Sequence, residues 1–130
     1  MKHISREYQQ ILQNALPVLN DCIQLMHDSL RFCGFSQPRV NNGNKAKIEA
    51  ALHIAEQLKS ASKEHLATCK DVSCQDDCKM LYESAHDFIK HVDEWSRAFA
   101  KETEDCNNTV TACIQEADAI YESCQKVMKH

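Results

Sequence analysis

Apolar side chains recur at three- and four-residue steps through the N-terminal quarter of the chain, where polar residues fill the positions between them. The apolar set is Ile4, Tyr8, Leu12, Ala15, Leu19, Cys22, Met26, Leu30 and Cys33. This spacing places all of them on one face of an α-helix. Pro17 lies within the stretch and lacks the N–H that a helix interior needs. The pattern predicts a first helix over about residues 4–33, with a kink near Pro17.

The same periodicity returns three more times after a break at residues 34–44. The break reads GFSQPRVNNGN and contains the Gly, Pro and Asn residues that favour turns. The apolar steps beyond it predict helices over about residues 44–71, 74–101 and 107–128. Asn44 is the expected N-cap of the second helix. The third is expected to begin near Ser73, with Asp76 three residues later in a variant of the capping box.

Only polar residues separate the third predicted helix from the fourth. No Gly or Pro occurs between residues 101 and 108, where we expect a turn. If that turn is absent, residues 75–128 form one long helix and a second chain must complete the structure. With the turn, the chain is expected to be monomeric.

The composition supports a small helical domain. The chain has 130 residues, which suits a single domain over residues 1–130, and its two Gly and two Pro are too few for a fold with many tight turns. Four amphipathic helices of similar length with short connections predict an all-α, up-down-up-down four-helix bundle.

Charge and hydropathy exclude two classes of partner. The net charge is −4, and no basic block is present that could neutralise a phosphate backbone, so we expect no nucleic-acid binding. No apolar run is long enough to span a bilayer. The N-terminal MKHISREYQQILQ lacks the continuous apolar segment of a signal peptide, which fits either a cytosolic protein or a mature secreted form.

Eight cysteines are the most unusual feature of the sequence, and each lies on an apolar face or at a helix end. Heights along antiparallel helices follow from the rise of about 1.5 Å per residue. By this measure Cys33 and Cys106 lie at the same height near one end of the bundle, and Cys22 and Cys113 lie at the same height in its middle. The remaining four fall together at the other end: Cys69, Cys74, Cys78 and Cys124.

Disulfide bonds are the chemistry that this distribution favours. A disulfide needs only two Cα atoms within about 7 Å, whereas a zinc site needs four ligands around one point. The cysteines therefore predict a bundle cross-linked by the pairs Cys33–Cys106 and Cys22–Cys113 and by two further bridges. Among the group of four we favour bridges that tie the corner between the second and third helices to Cys124.

A soft-metal site is the main alternative. Cys69, Cys74, Cys78 and Cys124 could together bind zinc or Cu(I), both of which accept thiolate ligands. This layout resembles in outline the families of four-helix copper-storage proteins. Their repeated C-x-x-x-C spacing occurs here once, at Cys74 and Cys78. A further alternative is that the cysteines are buried apolar side chains without other chemistry.

Candidate catalytic groups are sparse. Glu83 and His86 match a single Glu-x-x-His, but di-iron bundles need two copies facing inward, and both residues lie off the apolar face. We expect them on a solvated surface. His53 and His65 lie near the apolar face of the second helix and are expected to be satisfied or partly exposed, not ligands. The sequence therefore predicts a protein that is not an enzyme.

The function expected from these features is that of a non-catalytic, secreted, disulfide-stabilised module that binds another protein as an inhibitor, effector or ligand. It would need no cofactor. Its candidate contact surface is the loop with Phe35, Arg39 and Val40, since recognition residues concentrate in loops on rigid scaffolds. The alternatives are an intracellular thiol-rich bundle that binds or stores copper or zinc, and a carrier of a small hydrophobic ligand.

Overall fold

The computed structural model describes residues 4–32, 42–101 and 106–130. These residues form four helices and no strand: α1 (Arg6–Phe32), α2 (Asn42–Thr68), α3 (Val72–Lys101) and α4 (Cys106–Met128). The predicted contact residues Phe35, Arg39 and Val40, together with Cys33, lie outside the described residues.

Within the described residues the four helices form an antiparallel ring. Each helix packs against the next along the chain, and α4 closes the ring against α1. Two pairs of side chains give the direction of the last two helices. Asp77 meets His130 at 2.7 Å, and further along α3 His91 meets Glu116 at 2.6 Å. The residue later in α3, His91, thus pairs with the residue earlier in the chain, Glu116 of α4, whereas Asp77 pairs with His130 just after α4. Helices α3 and α4 are therefore antiparallel. The predicted all-α four-helix bundle is confirmed.

The core consists of the apolar faces that the sequence pattern predicts. Every residue of the first predicted apolar face from Ile4 to Met26 is buried. The apolar residues at helical spacing in α3 are buried as well: Cys74, Cys78, Leu81, Ala85, Phe88, Val92 and Trp95. Seven residues have fully buried side chains among the largest of the core: Phe88, Leu12, Leu19, Met26, Leu58, Leu81 and Ile120. Since apolar area removed from water stabilises a fold by roughly 25 cal/mol per Å², this shared core is what holds the four helices together.

The break between the third and fourth predicted helices is present. α3 ends at Lys101, α4 begins at Cys106, and the two helices pack against each other. The alternative of one continuous helix over residues 75–128 is therefore wrong. Pro17 lies inside α1 on its exposed side and does not end the helix. α2 begins at Asn42, two residues before the predicted cap, Asn44.

Asp71 caps α3, and the cap predicted at Ser73 is wrong. The Oδ1 atom of Asp71 accepts the backbone N–H of Ser73 at 3.0 Å and that of Cys74 at 3.3 Å. Helix α3 consequently begins at Val72. Asp satisfies the free N–H groups of a first turn as well as Ser does, and its charge also complements the positive end of the helix dipole.

Across the described parts of the chain, no helix has a segment long and apolar enough to cross a membrane.

Candidate metal centre

The corner between α2 and α3 brings together side chains that can bind a metal. Only residues 69–71 separate the two helices, so the last turn of α2 lies beside the first turns of α3. His65 is in the last turn of α2. Cys74 and Cys78 are one helical turn apart on α3 and point to the same side.

Three donor atoms converge at this corner. The Nε2 atom of His65 lies 3.3 Å from the Sγ atom of Cys74, and the Sγ atoms of Cys74 and Cys78 are 3.9 Å apart. One ligand atom from each of the three residues falls within 4.8 Å of the others. Both cysteines are fully buried and His65 is half-buried. We refer to His65, Cys74 and Cys78 as the corner triad.

Tyr8 of α1 contacts two residues of the corner triad, Cys78 and His65. Its hydroxyl donates to the Sγ atom of Cys78 at 3.5 Å and lies 2.7 Å from the Oγ atom of Ser62. A hydroxyl carries one proton, so the Ser62 hydroxyl is the donor to the Tyr8 oxygen. The Tyr8 ring also packs against the His65 ring, with centroids 5.3 Å apart. These contacts hold two of the three ligands in place.

Cys69 lies beside the triad but does not belong to it. Its thiol is half-buried and donates to the backbone carbonyl of Asp71 at 3.7 Å, and its charge is one of the influences that raise the pKa of Cys74. The side-chain amide of Gln75 donates to the Cys69 carbonyl and so fixes the end of α2 against the start of α3. The corner therefore offers one extra thiol next to Cys74.

Burial keeps the triad thiols protonated when no metal is bound. Removal from water raises the pKa of Cys74, and the neighbouring charge of Cys78 raises it further. Burial likewise raises the pKa of Cys78, although the hydrogen bond from Tyr8 opposes the shift. A metal ion must displace these protons, because the thiolate is the ligand form.

A cavity of about 300 Å³ opens between α1 and α2 next to the triad. Its lining includes Tyr8 and His65, and the carboxylates of Glu7 and Glu64 stand at its wall. Both Glu side chains are exposed, so they lend the opening a negative charge. This cavity is a route by which a cation can reach His65 from solvent.

The cysteines predicted to pair in disulfide bonds are not bonded to one another among the described side chains. All six cysteines whose side chains the structure describes are free thiols: Cys22, Cys69, Cys74, Cys78, Cys113 and Cys124. Cys22 and Cys113 are buried close enough for the charge of one to raise the pKa of the other, while burial is the main reason that the pKa of Cys113 reaches about 12. Whether these two join in a disulfide stays a prediction. The pair Cys33–Cys106 lies outside the described side chains.

Of the four cysteines predicted at one end, the structure brings Cys74 and Cys78 together and sets Cys69 against Cys74. Cys124 is buried at the same end, where its charge acts on Tyr8, but its sulfur is not among the three converging donor atoms. Burial raises the pKa of Cys124 to about 12. A ligand set that includes Cys124 gains no support from the geometry.

His65 is the site residue that the sequence analysis missed. It was expected to be a satisfied or partly exposed histidine, and its position near the apolar face gave no reason to choose it over His53. A usable signal was present, because His65 precedes Cys69 by one helical turn and thus lies on the same side of α2 as the cysteine-rich corner. Glu83 and His86 are exposed, which confirms their predicted place on a solvated surface, and His53 is exposed as well.

A second polar contact joins α3 to α4 far from the corner. The Nδ1 atom of His91 lies 2.6 Å from the Oε1 atom of Glu116 and donates also towards the Asp87 carbonyl at 2.9 Å. Burial raises the pKa of Glu116, and the charge of His91 opposes that shift. This contact links two helices and presents no set of converging ligand atoms among the described residues.

Comparison with known proteins identifies no relative. No family model matches the chain, and no curated protein or solved structure is similar to it at a significant level. The corner triad is consequently the feature of the chain that points to a function.

Proposed function

We propose that this protein is a zinc-binding four-helix bundle in which His65, Cys74 and Cys78 hold one Zn²⁺ ion. The observation that carries the proposal is the convergence of the three donor atoms within 4.8 Å of one another at the α2–α3 corner. Imidazole nitrogen together with thiolate sulfur is the ligand mixture that zinc prefers in proteins.

The distances within the triad support zinc in particular. Zinc binds sulfur at about 2.3 Å and nitrogen at about 2.0 Å in tetrahedral geometry, which sets two sulfurs about 3.8 Å apart and a sulfur and a nitrogen about 3.5 Å apart. The triad has 3.9 Å and 3.3 Å for these separations. The fourth position is left to water, which the neighbouring cavity can supply.

The surroundings of the triad have the other features of a metal site. A bound metal needs groups that orient its ligands and a path from solvent. The Tyr8 hydroxyl supplies a hydrogen bond to Cys78, and Asp71 holds the N–H of Cys74. The cavity between α1 and α2 supplies the path. A zinc ion there would join the end of α2 to the start of α3.

Zinc titration of the reduced protein against a chromogenic chelator tests the proposal. We expect wild type to bind one equivalent. Cys74→Ser and Cys78→Ser should each abolish that equivalent, and His65→Ala should weaken binding at least about tenfold, because each removes one of only three protein ligands. Substitution by Co²⁺ should give the absorption of tetrahedral thiolate coordination.

Two matched variants control for damage to the fold. Cys113→Ser changes an equally buried thiol outside the triad, and His53→Ala changes an exposed histidine on the same helix as His65. Both should bind zinc as wild type does. Zinc binding by Cys74→Ser at wild-type affinity, with the helical circular dichroism spectrum intact, would reject the proposed site.

The interaction module predicted from the sequence remains a separate proposal. It would act outside the reducing cytosol on a protein partner and without catalysis, and the carrier of a small hydrophobic ligand is the other alternative. No observation at the corner favours either over metal binding.

A further inference from the structure

Cys69 suggests how metal binding at the corner triad could be regulated. The thiol is not one of the three converging donors, yet it lies at the same corner as Cys74, which is: the Cys69 thiol donates to the Asp71 carbonyl at 3.7 Å, and the Asp71 carboxylate accepts the Cys74 N–H at 3.3 Å. The two residues approach from different helices across the corner. Cys74 therefore has two alternative partners, a metal ion and the sulfur of Cys69.

The positions of the three corner cysteines favour Cys69–Cys74 over the other pairings as a disulfide. Cys74 and Cys78 are one turn apart on a single helix, where the backbone fixes their separation, and their sulfurs stand 3.9 Å apart. Cys69 follows the last residue of α2 and precedes the non-helical residues 70 and 71. Its backbone can adjust to the S–S bond of about 2.05 Å that a disulfide requires.

Exposure decides which thiol reacts first. Cys69 is half-buried, whereas Cys74 and Cys78 are fully buried. A disulfide reagent from solvent can reach Cys69, and access is one of the conditions that set the rate of thiol–disulfide exchange.

Resting on the proposed zinc site, we propose that the corner is a thiol switch: oxidation by a low-molecular-weight disulfide joins Cys69 to Cys74 and releases the zinc. The Cys69 thiolate attacks the disulfide RSSR, forms a mixed disulfide, and expels one RS⁻. The Cys74 thiolate then leaves the metal, attacks the Cys69 sulfur, and expels the second RS⁻. Cys69 and Cys74 together lose two electrons, which reduce RSSR to two RS⁻; one RS⁻ takes up the proton lost by Cys69 and the other a proton from water, and Zn²⁺ leaves without a change in oxidation state.

Oxidised glutathione added to the zinc-loaded protein tests the switch. The released zinc is followed with a chromogenic chelator, and the product is digested with trypsin without reductant. Cleavage after Lys70 and Lys79 places Cys69 in the peptide 64–70 and the other two cysteines in the peptide 71–79. We expect these two peptides to be linked, with fragmentation assigning the bond to Cys74, and about one zinc ion released for each disulfide formed.

Cys69→Ser is the decisive variant, because it leaves all three proposed ligands in place. It should bind zinc as wild type does and should keep it in oxidised glutathione. Zinc release from Cys69→Ser at the wild-type rate would overturn the switch, and so would a bond confined to the peptide 71–79 or a linked product that retains its zinc. Failure of wild type to load zinc before oxidant is added would instead count against the proposed function itself.

Discussion

At the scale of single residues, Tyr8 is the side chain that connects the proposed zinc site to the rest of the core. It belongs to α1, yet its hydroxyl contacts Ser62 of α2 and Cys78 of α3. Both the ring and the hydroxyl are buried. When a metal binds, the Cys78 sulfur becomes a thiolate, which accepts a stronger hydrogen bond than a neutral thiol does. Tyr8 should therefore matter more to the loaded protein than to the empty one.

Replacement of Tyr8 by Phe tests this role. The ring packing is kept, while Ser62 and Cys78 lose their partner, so we expect the free energy of unfolding to fall by about 1–3 kcal/mol. Zinc affinity should fall by about 10- to 100-fold, as is typical when a group that orients a metal ligand is lost. Urea unfolding and chelator competition measure the two effects.

Tyr82→Phe is the matched control, since Tyr82 is a half-buried tyrosine of α3 whose ring lies under Lys59. It should leave zinc affinity unchanged. An unchanged affinity in Tyr8→Phe as well would show that Tyr8 has only a packing role.

At the scale of the helices, the sequence predicts the faces well and the ends poorly. The apolar residues spaced from Cys74 to Trp95 identify the buried side of α3, because burial of this apolar face determines which side of the helix turns towards the core. The start of α3 depends on a local competition between Asp71 and Ser73 for the first free N–H groups. Both residue types are good caps, so the pattern alone could not choose between them.

The two cap assignments can be separated by mutation. Asp71→Ala removes the acceptor for the N–H groups of Ser73 and Cys74, and we expect a loss of about 1 kcal/mol in the free energy of unfolding. Zinc affinity should also fall, because the Cys74 backbone loses its anchor. Asp76→Ala, which alters the exposed acid of the predicted capping box, should change neither quantity beyond about 0.5 kcal/mol. Equal losses in the two variants would contradict the Asp71 cap.

The sequence predicts the cysteines of the candidate site but not its histidine. The cysteine heights, taken from the helical rise, correctly place Cys69, Cys74 and Cys78 at one corner. They could not rank His65, because a half-buried histidine has no distinctive spacing and its partner, Cys74, lies on another helix. Only the packing of α2 on α3 brings this histidine to Cys74 and makes it a candidate ligand.

At the scale of the whole molecule, the proposed metal lies at the end of the bundle where elements from all four helices meet. α2 and α3 supply the ligands, and α1 supplies Tyr8. The last residue, His130, binds Asp77 at 2.7 Å beside Cys78 and so brings the end of the chain following α4 to the same region. A ligand that binds only the folded state stabilises the entire fold, not merely the corner.

Thermal unfolding with and without zinc measures this effect. At a free zinc concentration about 100 times the Kd, binding adds about 2.7 kcal/mol to the free energy of unfolding, which corresponds to a rise in Tm of roughly 10 °C for a domain of this size.

The pKa values of Cys74 and Cys78 are raised by burial, so both thiols are protonated at neutral pH and zinc binding releases about two protons. At one fixed concentration of zinc, the rise in Tm that zinc causes should therefore be smaller at pH 6 than at pH 8.

The apoprotein is the reference at each pH, and the same scan of Cys74→Ser should show no effect of zinc. A rise in Tm that is independent of pH would contradict thiolate coordination.

The shortness of the corner between α2 and α3 has a consequence for how this protein can diverge during evolution. His65 and Cys74 are nine positions apart, and three of the positions between them form the non-helical segment. Each residue added to or removed from a helix turns its side chains by about 100° about the axis. A single insertion between His65 and the end of α2, or between the start of α3 and Cys74, would turn the ligands away from each other, whereas a substitution of Lys70, which is exposed, would not. Homologous chains should therefore differ freely in the identity of residue 70 and hardly at all in the number of residues between the two helices.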